Sequence, residues 1–312
     1  MQAYNLATAQ GQSMRGMNRM SAIKNMSQTL DIELNEVSSI NNPKDNTVLF
    51  ITNAYKDKLQ NLQIAKGCLV FLEEGIESPI AMDREHIFVY TQNPALEYAL
   101  YTQRIAKNED ERNQMHEYRL HENGYYYGED ITIGDNTYIE PGAQIGHGVT
   151  IGKDTHILSY AVIKNACIGD NCLIKNHAQI GGQAFTFATD NEGNRIRIPC
   201  LGRVIIEDCV EIGSFSTINR GLNSETRICR YAKLDDHVAI GHDAVIGSNT
   251  LIVAGAVLGG YVSVGESVYI GLNVSIKNRV RIESNVTLSM GSRVVKDVKA
   301  DSGVYGVPKT NT

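Results

Sequence analysis

The chain of 312 residues is long enough for two domains, and 42% hydrophobic with 21% charged residues is an ordinary globular composition. The net charge of −6 argues against nucleic-acid binding over a broad surface, and no apolar run approaches the ~20 residues of a membrane span. The six cysteines show no metal-site or redox spacing, so we expect reduced thiols in a cytoplasmic protein. We also expect no bound metal and no permanently bound cofactor.

The first part of the chain predicts a leader and a small α/β domain. Residues 1–30 lack the apolar stretch of a secretory signal and are expected to form a flexible or loosely helical leader. Strand and helix patterns alternate over residues 31–106, which is typical of an α/β domain. The predicted strands are 47–51, 68–72 and 86–90, and the predicted helices are 54–65 and 94–106. Residues 107–128 are expected to be a linker helix and loop.

A period of six residues, interrupted twice, follows over residues 129–298. Every sixth residue is aliphatic from Ile228 to Val294, and the same spacing holds from Ile133 to Ile163 before the register slips by one. Neither a helix (period 3.6) nor a half-buried strand (period 2) has this spacing, whereas a hexapeptide period is typical of a parallel β-helix. We therefore predict a mainly β fold, a left-handed parallel β-helix in which residues 18 apart lie one above the other.

Two stretches interrupt the repeat, at residues 181–204 and 219–227, and a tail of coil is expected over residues 299–312. Insertions in a solenoid usually fall on one face, which is often the binding face. These two loops are therefore the first places to look for function.

His242 is the leading candidate for chemistry. It comes two residues after the inward-pointing Ile240, so its side chain is expected outside the coil. One coil above lies Gly260, whose bare backbone N–H could donate to an oxyanion, and two coils above lies Asn278. Histidine titrates near neutral pH and suits a general base, but a solvated corner histidine fits the position equally well.

Two acidic residues and a second histidine leave alternatives open. Asp235 and Asp236 could orient the imidazole of His242, or they could be plain corner carboxylates. His237 and His242 are spaced like the histidine pair of γ-class carbonic anhydrases, which share this fold, but no histidine lies near Leu201, where the third ligand is expected. A metal hydratase and a non-catalytic scaffold therefore remain alternatives.

Four stretches carry a resemblance to a known family. They are 47–55 with 93–95, 180–187 with 197–202, Ser-Thr-Ile-Asn-Arg-Gly at 216–221, and 234–242. Over residues 31–298 the chain resembles the UDP-3-O-acylglucosamine N-acyltransferases and related hexapeptide-repeat enzymes that acylate nucleotide-linked amino sugars. The resemblance implies a homotrimer with active sites between neighbouring β-helices and a phosphopantetheine arm lying along the coils.

The resemblance also implies roles for individual residues. His242 would be the catalytic base, Gly260 the oxyanion glycine and Asp235 part of the catalytic group. Phe50 and Asn53 would stack on and hydrogen-bond the nucleotide base, while Tyr55 is one position short of the second stacking aromatic. The implied donor or acceptor contacts are Phe185, Phe187, Asn219, Arg220, Asn278 and Arg279.

Departures from the family pattern shape the functional prediction. Arg279 replaces a second family histidine, Asn219 replaces an aspartate, and the chain stops soon after residue 303 without a helical extension. We therefore predict an N-acyltransferase that moves an acyl group from acyl-CoA, or from an acyl carrier protein, to a nucleotide-linked amino sugar for surface glycan synthesis. The alternative is the lipid A enzyme that uses a 3-hydroxyacyl carrier protein.

Overall fold

The computed structural model describes residues 34, 36–77, 86–115 and 117–305, so the predicted leader and the last seven residues of the tail lie outside it. The chain divides into two units. The first holds the described residues up to Glu109 together with Phe185–Leu201, and the second holds Asp110–Ala184 and the chain from Gly202 onward. Neither helix of the described residues is long and apolar enough to cross a bilayer.

The first unit is built on a parallel sheet whose strand order follows the chain, β1-β2-β3-β4. Its elements are β1 (Glu36–Val37), β2 (Thr47–Ile51), a 3₁₀ helix (Asn53–Ile64), β3 (Leu69–Glu73), β4 (Ile87–Thr91) and most of α1 (Pro94–Met115), up to Glu109. The three longer strands and both helices were expected from the sequence, with bounds shifted by a residue or so. Helix α1 runs further than predicted, into the segment expected to be a linker.

Alternation along β2 gives the sheet two apolar faces. Leu49 and Ile51 belong to the buried cluster that includes Leu62 of the 3₁₀ helix. Phe50, between them, points to the other face and lies against Tyr98 of α1, with 4.8 Å between ring centroids. Both faces are covered, as a parallel sheet requires.

The first unit also contains a two-stranded antiparallel hairpin formed by the first insertion. Its strands are Phe187–Thr189 and Arg195–Arg197, joined in antiparallel register. Asn93 Nδ2, at the start of α1, donates to the Thr189 carbonyl at 2.8 Å, and Gln103 Nε2 donates to the Arg197 carbonyl at 2.9 Å. These contacts explain why the hairpin groups with the α/β elements rather than with the repeats that flank it in sequence.

The second unit is the predicted parallel β-helix, with three faces of short stacked strands. The first face contains Thr132–Ile133, Thr150–Ile151, Ala166–Ile168, Arg203–Ile206, Glu225–Ile228, Val245–Ile246, Ser263–Val264 and Arg281–Ile282. The second contains Tyr138–Ile139, His156–Ile157, Leu173–Ile174, Glu211–Ile212, Lys233–Leu234, Leu251–Ile252, Tyr269–Ile270, Thr287–Leu288 and Gly303–Val304. The third contains Arg119–Leu120, Tyr126–Tyr127, Gln144–Ile145, Val162–Ile163, Gln179–Gly182, Thr217–Asn219, Ala239–Ile240, Val257–Leu258, Ser275–Ile276 and Arg293–Val294.

The six-residue period places one aliphatic side chain inside the coil per strand. Ile240 is 0% exposed and pairs in register with Leu258 of the next coil. Complete burial of such a side chain contributes ~1.5–3 kcal/mol. The chain turns each corner three residues before the aliphatic residue, where the backbone is left-handed, as at His237 (φ 57°) and Asp243 (φ 55°). Asn and Asp tolerate this conformation best, so they recur at the corners.

All six cysteines are free thiols, as expected. Cys172 points into the β-helix, where its Sγ donates to the Glu207 carbonyl at 3.2 Å, and burial raises the pKa of this thiol to about 11. Because the thiolate is the reactive form, we expect iodoacetamide at pH 8 to leave Cys172 unmodified in the native protein. Peptide mass spectrometry should find it alkylated only after denaturation, with the half-exposed corner residue Cys209 as the native-state control. Labelling of Cys172 as fast as Cys209 would contradict this.

Candidate active site

A histidine–aspartate pair forms on one corner of the β-helix, immediately after the strand Ala239–Ile240. His242 Nδ1 lies 2.8 Å from Asp243 Oδ2, and the two side chains are 18% and 4% exposed. The pair forms because Asp243 has a left-handed backbone (φ 55°), which directs its carboxylate back toward the preceding residue. A carboxylate on Nδ1 holds the proton on that nitrogen and leaves Nε2 as the base.

The buried carboxylate of Asp243 is held by the second insertion. Its Oδ2 also accepts a hydrogen bond of 2.7 Å from the Leu222 N–H, and its own N–H donates to Thr226 Oγ1 at 2.8 Å. Leu222 and Asn223 are buried beside it. The second of the two insertions predicted to carry function therefore packs behind the His242–Asp243 pair and fixes its orientation.

Gly260 lies directly over the free nitrogen of His242. A Cβ atom placed on Gly260 would come within 2.5 Å of Nε2, so any side chain here would push the imidazole away. Within the described part of the chain, the Gly260 N–H donates no backbone hydrogen bond, whereas its neighbour Tyr261 donates to the His242 carbonyl at 2.8 Å. The glycine thus leaves an open space beside the base and a backbone donor that could face it.

Two side chains stack above the pair on successive coils. Tyr261 meets the His242 ring edge-on, with 5.0 Å between centroids. The guanidinium of Arg279 lies 4.6 Å above the Tyr261 ring, a cation–π distance. The predicted contact residue Arg279 therefore lies two coils above the pair, and the neighbouring Asn278 is exposed on the same coil.

The structure corrects the role expected of Asp235. Its Oδ2 accepts from the Ala254 N–H at 3.3 Å, and Asp236 Oδ1 accepts from the Ser214 N–H at 2.7 Å. Both carboxylates therefore bind backbone amides of neighbouring coils, while Asp243 occupies Nδ1 of His242. Sequence analysis missed Asp243 because it considered only Asp235 and Asp236 as partners of the imidazole, although Asp243 is the next residue in the chain.

His237 belongs to a different structure, an aromatic stack along another corner. The rings of Tyr160, His177, Phe215 and His237 lie nearly parallel, with centroid separations of 5.1, 4.8 and 5.3 Å. Among the residues that the structure describes, no group of three or more side chains is arranged to hold a metal ion. His237 is thus placed as a stacking residue.

The remaining predicted contacts fall in different surroundings. Arg220 is 6% exposed, and its Nε donates to the Gly202 carbonyl at 2.6 Å, so it joins the second insertion to the end of the first. Asn219 is half-buried at the end of a third-face strand. In the first unit, Phe185 is 89% exposed and meets the Phe187 ring edge-on at 4.8 Å. Among Asn219, Phe185 and Phe187, the side chain of Phe185 is therefore the most accessible to a ligand.

The predicted nucleotide residues gather at one edge of the parallel sheet, with one exception. Asn53 follows β2 and is exposed, and Phe50 is half-buried near the end of the same strand. Ligands of open α/β sheets bind outside the carboxyl ends of the strands, which is where Asn53 lies. Tyr55, however, packs on the cluster of Leu49 and Ile51, on the face opposite Phe50, so we exclude it from a shared base-binding site.

Comparison with known proteins supports the assignment of the repeats. A family model described as bacterial transferase hexapeptide (six repeats) matches residues 130–165. The UDP-3-O-acylglucosamine N-acyltransferase of Methylorubrum populi is 36% identical over 150 residues, which cover 48% of this chain and 42% of the relative. The enzyme of the same name from Anaeromyxobacter dehalogenans is 32% identical over 128 residues, covering 39% of this chain and 36% of the relative.

Solved structures agree on the fold. A UDP-N-acetylglucosamine O-acyltransferase from Moraxella catarrhalis matches with a TM-score of 0.51 and 26% identity, covering 59% of this chain and 71% of that one. A UDP-N-acetylglucosamine acyltransferase from Campylobacter jejuni matches with a TM-score of 0.52 and 24% identity, covering 58% and 69%. The resemblance to hexapeptide-repeat acyltransferases is confirmed, but the matches to the first two relatives span only 36% and 42% of their length.

Proposed function

We propose that this chain is an N-acyltransferase that transfers an acyl group from a thioester to the amine of a nucleotide-linked amino sugar. The observation that carries the proposal is the His242–Asp243 pair with its free nitrogen facing Gly260. The relatives named as UDP-3-O-acylglucosamine N-acyltransferases support the same reaction class.

The chemistry follows from the positions of three groups. His242 Nε2 takes a proton from the sugar amine as the nitrogen attacks the thioester carbonyl carbon. The carbonyl oxygen becomes an oxyanion, which the Gly260 N–H stabilises. The intermediate then collapses, the C–S bond breaks, and the imidazolium returns its proton to the thiolate, giving an amide and a free thiol. Asp243 stabilises the imidazolium formed between the two steps.

The similarity to known enzymes changes which acceptor sugar we propose first. Sequence features favoured a deoxysugar for a surface glycan, whereas the relatives above favour the lipid A alternative, UDP-3-O-acylglucosamine. We therefore put UDP-3-O-acylglucosamine first and keep an amino deoxysugar linked to UDP or dTDP as the second acceptor. A homotrimer acting in the cytoplasm, with acyl carrier protein or acyl-CoA as the donor, completes the proposal.

The test is a product assay with matched acceptors. The protein is incubated with 3-hydroxyacyl carrier protein or acyl-CoA and with UDP-3-O-acylglucosamine, an amino deoxysugar nucleotide or UDP-N-acetylglucosamine. We expect mass spectrometry to detect a newly added acyl group that resists hydroxylamine, because an amide survives where an ester is cleaved. The same treatment removes the 3-O-acyl ester that UDP-3-O-acylglucosamine already carries. UDP-N-acetylglucosamine, which has no free amine, should remain unmodified. Acylation of that sugar alone, in a hydroxylamine-sensitive product, would indicate O-acyl transfer and contradict the proposal.

A further inference from the structure

A two-pronged contact joins the ends of β2 and β3 in the first unit. The Asn53 backbone N–H donates to Glu73 Oε2 at 2.6 Å, and the Asn53 side-chain Nδ2 donates to Glu73 Oε1 at 2.8 Å. Each oxygen of one carboxylate thus binds a donor of the same residue. The contact defines the direction of the Asn53 side chain as well as its position.

The direction of the amide follows from the chemistry of the partner. A carboxylate has no hydrogen to donate, so only the NH₂ end of an asparagine can face it. Glu73 therefore holds Nδ2 of Asn53 and turns Oδ1 to the opposite side of the amide plane. Asn53 presents an acceptor, not a donor, on the side facing away from Glu73.

Glu73 lies on the same side of the sheet as an aromatic side chain. Phe50 pairs in register with Phe71, and Glu73 follows two residues later on β3. Because alternate residues of a strand share a face, Glu73 points to the same side of the sheet as Phe50, about 7 Å further along the strand. The Phe50 ring, which lies against Tyr98 of α1, is therefore on the side of the sheet to which Glu73 points.

We propose that Glu73 is the positioning residue that sets the base preference of the nucleotide site, making it select a base with an N3–H donor, as in uracil or thymine, over cytosine. The proposal rests on the proposed function, with its nucleotide-linked acceptor, and on the base contact that the family resemblance implies for Asn53. A uracil N3–H donates to Asn53 Oδ1. The N3 of cytosine carries no hydrogen, so its lone pair would face the lone pair of the same oxygen and be repelled. A site that presents one polar group in a fixed direction rejects the ligand that cannot pair with it.

A purely structural role for Glu73 makes a different prediction. The carboxylate also binds the first N–H of the 3₁₀ helix, so its removal is expected to lower stability in either case. Loss of a cap lowers the affinity for every nucleotide alike. Only an orienting role changes the ratio between two nucleotides that differ at N3.

The experiment measures UDP and CDP affinities of the full chain by isothermal titration calorimetry. We expect the wild-type protein to bind UDP about tenfold more tightly than CDP, the effect of one hydrogen bond at an exposed site. In Glu73→Gln, one oxygen still accepts the Asn53 N–H, but the new NH₂ faces the side chain and turns Oδ1 of Asn53 toward it. The UDP-to-CDP ratio should then fall about tenfold. Glu74→Gln removes the same charge one residue away, at an exposed position, and should keep the wild-type ratio.

Each outcome either supports or overturns the orienting role of Glu73. An unchanged ratio in a folded Glu73→Gln protein, as judged by circular dichroism, overturns the inference, and so does equal affinity of the wild-type protein for UDP and CDP. Asn53→Ala separates this failure from that of the nucleotide site itself. If Asn53→Ala weakens UDP binding while Glu73→Gln keeps its ratio, only the orienting role is wrong. If Asn53→Ala binds UDP like the wild type, Asn53 does not contact the base, and the base contact on which the proposal rests fails. The proposed acyl transfer is tested separately by its own product assay.

Discussion

Replacing His242 with alanine is expected to lower kcat about 10²- to 10⁴-fold, the range for loss of a general base. The imidazole is 18% exposed and lies outside the aliphatic core, so the fold should survive. The buried Asp243 keeps its hydrogen bond from the Leu222 N–H after the change, which limits the cost to stability. Steady-state kinetics with the product assay above measures the loss, and thermal melting checks the fold.

A histidine on the neighbouring corner provides the matched control. His237 is exposed, has a left-handed backbone (φ 57°) and stacks on Phe215. Asparagine tolerates that conformation, so His237→Asn removes an imidazole from the same short stretch without forcing the corner to change. We expect its kcat to stay near wild type. If His242→Ala retains most of its activity, or if both variants lose it equally, His242 is not the base.

Replacing Gly260 with alanine is expected to lower kcat about 10²-fold. The added methyl group would lie 2.5 Å from His242 Nε2 and 2.8 Å from two ring carbons, so the imidazole must move. A displacement of about 1 Å in a catalytic group is enough to cost 10²-fold in rate. The methyl group also occupies the space in which the thioester carbonyl would meet the Gly260 N–H. The loss should appear in kcat in steady-state assays.

A second glycine separates this effect from the general cost of a methyl group. A Cβ placed on Gly182 meets no atom within 4 Å, so Gly182→Ala should be accommodated without displacement. We expect this variant to keep wild-type kcat and melting temperature. A Gly260→Ala enzyme as active as Gly182→Ala would mean that the imidazole can move aside without loss, and the proposed geometry around Nε2 would be wrong.

The β-helix could be predicted from sequence because its signal is local and repeated. Each coil places its aliphatic residue inside for the same reason, so Ile228 and Val294 obey one rule although they lie far apart in the stack. The hairpin Phe187–Thr189 with Arg195–Arg197 could not be assigned in this way. The hairpin contacts the start and the middle of α1, through Asn93 and Gln103. A repeat pattern in the sequence cannot predict contacts between residues so far apart in the chain.

The candidate site likewise has features that the sequence predicts and features that it does not. The position of His242 outside the coil and of Gly260 one coil above it follows from a count of residues, because the stacking distance is set by the repeat. The partner of the imidazole does not follow from counting. Asp235, Asp236 and Asp243 are all corner carboxylates in sequence, and the choice among them depends on the backbone direction at each corner and on the loop that buries Asp243.

The sequence by itself therefore determined the architecture, the register of the coils and which histidine lies outside the coil beside a glycine, since these depend only on which residues recur and at what spacing. The tertiary structure alone decided which carboxylate orients that histidine, which insertion supports it and which way the amide of Asn53 faces. Those three features depend on hydrogen bonds between residues of different coils or strands, whose direction is set only once the chain has packed.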